Sequence, residues 1–331
     1  MITLEDDRLV FRFPEVHEEA RCSVEFQRTL RIPDDDSDYP LPPGLGRFPL
    51  RHLDDFAKGL PEEWRRRGGV ITPMHQAEAL WINFGSSYPF AVKVATGKVC
   101  AVTGDPWVDH LNADPQDYVV LPDQPWLDGY CVEKGIIRQF VAMPLGGGYT
   151  VEEQLTGAAR HGGVQILAFP MKAERYEALL VDREPWADHV LEAPAVAEFS
   201  MGLAPGGRMR QHIEEDPHDL GAWDQRHASR CFVSILNSVQ WRAVTGEKPP
   251  TQPPTAKDYT ECGLPWFAYY GSDRTAVPGS DRLKGAASVA QHAKATGKEP
   301  LPANETIAVS HVIPVGGARR RPVREFAGRE A

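Results

Sequence analysis

The sequence predicts a mainly β protein: antiparallel, β-sandwich-like sheets with a few short peripheral helices. Three observations predict it. Apolar residues recur with a period of two, as where Cys22, Val24, Phe26, Leu30 and Ile32 share one parity. Side chains on a strand point to alternate faces, so this period marks a half-buried strand. Pro and Gly, 29 of each, fall at regular intervals rather than in one tract, which marks turns between short elements. Between residues 116 and 171, short apolar runs alternate with Pro, Gly and Asp in the rhythm of an antiparallel meander. Helices do not alternate with strands, which disfavours a doubly wound α/β fold.

The elements follow in order. Residues 8–13 alternate, with Leu9, Phe11 and Phe13 on one side. In 22–32 the other parity, Ser23, Glu25, Gln27, Thr29 and Arg31, should face water, and Arg28 alone breaks the apolar side. Residues 33–49 read as a loop whose Asp34, Asp35, Asp36 and Asp38 are solvated, because the Gly and bidentate Glu of a calcium loop are missing. Two short helices fit 53–60 and 61–68, the second with glutamates first and arginines last. Residues 70–100 should be largely strand, with a hairpin turning at Thr96-Gly97-Lys98; His75, Glu78 and Trp81 fall in a turn or broad loop within it.

The central strands are expected at 118–121, 129–132, 135–143 and 164–169. Gly146–Gly148 breaks them and is no phosphate loop, since no GK[ST] follows. Thr150 and Glu153 have capping-box spacing, and Gly157 can stop the turn they start. Residues 171–181 look helical. Strands resume at 197–203, turn at Pro205-Gly206-Gly207, and continue at 208–214 with Arg208, Arg210, His212 and Glu214 on one charged face. Further strands are expected at 230–236 and 239–245. A polyproline-like connector, KPPTQPPT, leads to a helix opened by Thr255 and closed by Gly263. The aromatic heptad 264–270, a helix over 282–295 and a strand over 306–312 complete the reading. The organisation expected is a β-rich region 1–190, a second β-rich region 191–315 that has short helices and is packed on the first, and a flexible basic tail 316–331.

Composition narrows the function. The chain has 331 residues and a net charge of −10, which repels nucleic acid in the absence of a basic patch. The dense basic cluster, Arg319, Arg320, Arg321, Arg324 and Arg329, sits in the tail. Cys22, Cys100, Cys131, Cys231 and Cys262 show no CxxC spacing and read as reduced thiols. The N-terminus lacks a signal-peptide pattern and no apolar run reaches membrane-spanning length. A soluble cytoplasmic protein is expected, with no nucleic-acid or membrane partner.

Two regions could carry chemistry. Residues 105–128 interleave aromatics and carboxylates: Trp107, Asp109, Asp117, Asp123, Trp126 and Asp128 are candidate ligand-binding residues, with His110 among them. A Trp face stacks on the apolar side of a sugar and carboxylates accept its hydroxyl hydrogens, so a glycan is the ligand class. The same Pro-Trp and Asp-Gly pairs also serve as turn and core material, which is the reading preferred. The second region holds His212, His218 and His227 among carboxylates, a candidate metal set, but without a tight His-x-His pair. No G-x-S-x-G elbow occurs, and no cofactor is expected.

The phrases DYVVLPDQPWLDG, IIRQFVAMPLGGGYTVEEQLTG, GLAPGGRM and PPTAKDYTECGLPWFAYY together resemble an uncharacterised family of bacterial and fungal hypothetical proteins, over residues 20 to 270. The resemblance implies no activity and transfers no catalytic residue. Some members carry a membrane-protein label, which this sequence does not support. The function expected first is therefore a non-enzymatic interaction or scaffolding module, with a protein partner or self-association. The alternatives are a carbohydrate-binding protein or carbohydrate-active enzyme using the 105–128 loops, and a metal-dependent enzyme using the 212–227 histidines.

Overall fold

A computed structural model describes residues 1–180, 201–269 and 275–315. The boundary expected between the two β-rich regions and the basic tail both lie outside the described residues.

The architecture is mainly antiparallel β. One hydrogen-bonded network of 17 strands holds almost the whole core, and a separate two-stranded sheet lies near the C-terminus. Strand Arg21–Thr29 pairs with Arg8–Arg12 on one edge and Ala79–Ser86 on the other. From Ala79–Ser86 the ladder passes to Ile136–Pro144 and then to Met201–Arg210. A single pair, Met201 with Ile235, carries it to Ser229–Leu236. It continues through Val164–Pro170 and Phe90–Thr96 to Val119–Leu121.

This ladder folds back on itself. Strands Ala79–Ser86 and Phe90–Thr96 are separated by three residues of chain, yet five pairings part them along this ladder. Folding back traps the apolar side chains of both halves in one cluster that includes Phe26, Ile82, Val92, Tyr130, Phe140 and Ile166. The expected strands of the central stretch are present, but they are not a sequential meander. Only Gly129–Glu133 and Ile136–Pro144 form a local hairpin; the others take partners distant in sequence.

Five further expectations are corrected. The supposed wet face of Arg21–Thr29 is covered: Glu25, Gln27 and Thr29 are buried, with Glu25 held by Arg8 and Gln27, and Thr29 bonded to the Pro43 carbonyl. Arg28 is fully buried against Glu78. No turn forms at Pro205-Gly206-Gly207, because one strand, Met201–Arg210, runs through it with a bulge opposite Arg138–Phe140. Glycine is required there by proximity: a Cβ on Gly207 would lie 2.2 Å from the Pro33 carbonyl oxygen. Residues 238–245 are a helix, Ser238–Thr245, capped by Asn237 and ended by left-handed Gly246. The expected long helix divides into Asp281–Lys284 and Val289–Ala295, and the last strand falls at Val312–Val315 rather than 306–312.

The acidic loop is not freely solvated. Asp34 and Asp36 both receive Arg138, Asp34 also accepts the Ala290 amide, and Asp38 receives Arg208. Its carboxylates therefore tie the loop to two strands and a helix end.

Candidate functional site

The loop 105–117 is built around one buried cation. Strand Phe90–Thr96 is buried along its whole length, and Lys93 sits at its centre, 1 % exposed. Its ammonium donates to the Val108 carbonyl at 3.1 Å, the His110 carbonyl at 2.5 Å and the Asp117 carboxylate at 2.6 Å. The Trp107 ring lies over the same ammonium, 5.4 Å from it. A cavity of ≈ 240 Å³ opens here, lined in part by Lys93, Cys100, Trp107, His110, Asn112 and Asp117.

The chemistry of this cavity is constrained by its own bonds. A lysine nucleophile needs a free amine facing its substrate, whereas the Lys93 nitrogen is directed into three acceptors of the chain itself. The other oxygen of Asp117 accepts the Asn112 amide. Burial lifts the Asp117 carboxyl above its usual range, against the opposing pull of Lys93 and Asn112. Burial also raises the Cys100 thiol, whose sulfur donates to the Asp117 carbonyl, so no reactive thiolate is prepared. The group acts as a strut that fixes the loop.

The other residues of the 105–128 stretch divide between two places. Asp109 accepts the Trp107 indole N–H and pairs with Arg230, beside the strut. Asp123 lies in the turn between strands Val119–Leu121 and Trp126–Leu127. Trp126 belongs to a different aromatic group, edge-on to Trp81 at 6.2 Å and to Tyr269 at 4.8 Å. Asp128 is inside the protein, 4 % exposed, accepting the Gln211 side-chain amide at 2.6 Å.

Burial pushes the Asp128 carboxyl up to about 7, with the Trp126 and Gln211 hydrogen bonds opposing it. Its folded value thus stands above that of an unfolded chain, about 3.9. The contribution of this group to stability is fully present below that lower value and is lost as pH rises through the upper one. Asp128→Asn should remove the effect. Thermal unfolding of both proteins from pH 4 to pH 8 should show the variant gaining on the parent by up to about 3 kcal/mol towards the alkaline end. Parallel pH profiles would contradict the assignment.

The histidines do not converge. His212 lies beside Gly135, His218 packs edge-on to Trp223 at 5.6 Å, and His227 bonds Asp224 at 3.0 Å. Among the described residues no three His, Cys, Asp or Glu side chains are grouped to hold a metal. The Gly146–Gly148 loop does make an anion cradle, but the chain fills it itself: Glu153 accepts the amides of Gly146, Gly148 and Thr150.

A feature with a weaker sequence signal lies at the C-terminal end. Strand Trp266–Tyr269 pairs in parallel with Val312–Val315, and its other edge bridges Leu41. Val312, Ile313 and Val315 are each 39 % exposed, so both faces of this strand meet solvent. Of the nine exposed large apolar side chains among the described residues, five belong here: Leu264, Tyr269, Val312, Ile313 and Val315. Among the described residues, four of these nine thus lie on this one sheet, and Leu264 lies just before it. The aromatic heptad pointed to one of its strands, but the second strand was placed too early in the sequence.

Together these features describe a mainly antiparallel β protein with an internally braced cavity and an apolar outlying sheet. No protein-family model, curated protein or solved structure matches the chain. Among the described residues no helix is long and apolar enough to cross a membrane.

Proposed function

We propose that the protein is a non-enzymatic interaction module whose contact surface is the sheet formed by Trp266–Tyr269 and Val312–Val315. The observation that carries this reading is the exposure of Val312, Ile313 and Val315 on a strand that buries neither face. A strand in that position stabilises little of its own fold, and its apolar surface is the kind that a partner covers. The polar groups of the 105–117 loop support the same reading from the other side. Lys93, Asp109 and Asp117 are engaged with the chain's own atoms. Trp126 meets Trp81 at 76° and Tyr269 at 72°, so it forms with neither a common plane on which sugar rings could stack.

The test is a photo-crosslinking side chain placed at Ile313 and, as a control, at the exposed helical Val239. Irradiation in cells should give an adduct of one discrete size from position 313 and none from 239. No adduct at 313, or the same adducts from both positions, would remove the support for this surface.

A further inference from the structure

We infer that the partner of this sheet is a second copy of the same chain, joined edge to edge by antiparallel pairing of Val312–Val315 about a twofold axis at Val312. The inference rests on the reading of this sheet as a contact surface and names its occupant.

The hydrogen-bond phase of the strand carries the argument. In a parallel ladder, alternate residues direct their N–H and C=O to each side. The Trp266 amide donates to the His311 carbonyl, so His311, Ile313 and Val315 face Trp266–Tyr269. Val312 and Pro314 therefore direct their backbone groups outward, and no strand among the described residues pairs with that edge. Val312 offers one donor and one acceptor, the set that an antiparallel pair of identical residues exchanges. Pro314 has no N–H to leave unpaired, and its carbonyl stands two residues from the axis, opposite the Ser310 amide of the other copy. An edge this apolar invites pairing and carries no charged side chain to oppose it.

Charge favours the same occupant. The residues that follow Val315 include Arg319, Arg320, Arg321, Arg324 and Arg329 against Glu325 and Glu330, while the chain as a whole has a net charge of −10. By sequence the residues after Val315 and the chain as a whole are thus opposite in net charge, so two copies are complementary in charge as well as in backbone groups.

Size-exclusion chromatography with light scattering on the full chain should give twice the monomer mass. Val312→Pro removes the outward N–H but no bond of the existing ladder, so circular dichroism should stay unchanged while the dissociation constant rises at least about tenfold. Val312→Ala, which keeps the N–H, should remain dimeric. Ile313→Asp, which places a charge at the edge, should be monomeric. A parent protein that is monomeric at all concentrations, or a Val312→Pro dimer as stable as the parent's, would overturn the inference. A monomeric parent that still gives a discrete adduct from position 313 would do so while leaving the surface itself in place for a different partner.

Discussion

Arg28→Met should destabilise the protein by about 3–5 kcal/mol, seen as a lower urea midpoint at an unchanged slope. Arg28 and Glu78 are both fully buried, and the guanidinium also donates to the Thr251 carbonyl and lies over the Phe48 ring at 5.4 Å. It therefore links the strand Arg21–Thr29, the turn before Ala79–Ser86 and the connector after helix Ser238–Thr245. Removing it leaves a carboxylate in the core with the His75 amide for company. Burial already raises the Glu78 carboxyl, and Arg28 is the main force holding it down. Without Arg28 that carboxyl must rise further above its unfolded value, so the stability it contributes is lost over a wider span of increasing pH. The deficit of the variant should accordingly shrink towards pH 5 and widen towards pH 8. Replacing both partners, as Arg28→Met with Glu78→Leu, removes the stranded charge and should restore most of the loss. A double variant as unstable as the single one would show that the pair is not the cause.

The same residue shows how far the sequence could be read. Strand positions were legible because period-two burial is a local property: the apolar parity of 8–13 and 22–32 is the parity of the core. Helix ends were legible for the same reason, since Thr150 with Glu153 and Thr255 with Asp258 form capping boxes within a few residues. Arg28 was visible as a break in an apolar parity and Lys93 drew no reading, and their partners lie fifty and twenty-four residues away. Nothing local identifies Glu78 or Asp117 as the counter-ion. Glu25 and Gln27 misled because a polar parity implies water only where no other element covers it, and here Arg8 does.

The misread helix Ser238–Thr245 has a comparable cause. Val239 and Val244 favour strand, and alternation outweighed the Asn237 and Gly246 caps. What decides the matter is tertiary: Trp241 is fully buried in a second apolar cluster with Leu53, Trp64 and Ile71. The outlying strand was misplaced because 306–312 has the better β propensity, whereas Pro314 counts against a strand. On an edge that objection fails, since an outward-facing residue need not donate to the ladder.

Lys93→Met should also destabilise the protein by about 3–5 kcal/mol, but its signature should differ from that of Arg28→Met. Three acceptors lose their donor at once: the Asp117 carboxylate and the carbonyls of Val108 and His110. Only the first is a charge. Neutralising it with Asp117→Asn in the same chain should therefore recover part of the loss and leave a remainder of about 1–3 kcal/mol from the two stranded carbonyls. The remainder should be local. The two carbonyls belong to the loop that lines the ≈ 240 Å³ cavity, and water can reach them if that loop lifts away from strand Phe90–Thr96. Limited proteolysis should thus cut the variant within 105–117 under conditions that leave the parent intact, and Trp fluorescence should report the freed indole. If Lys93→Met lost stability without exposing this loop to protease, the ammonium would be a general core element and not the strut on which the loop is built.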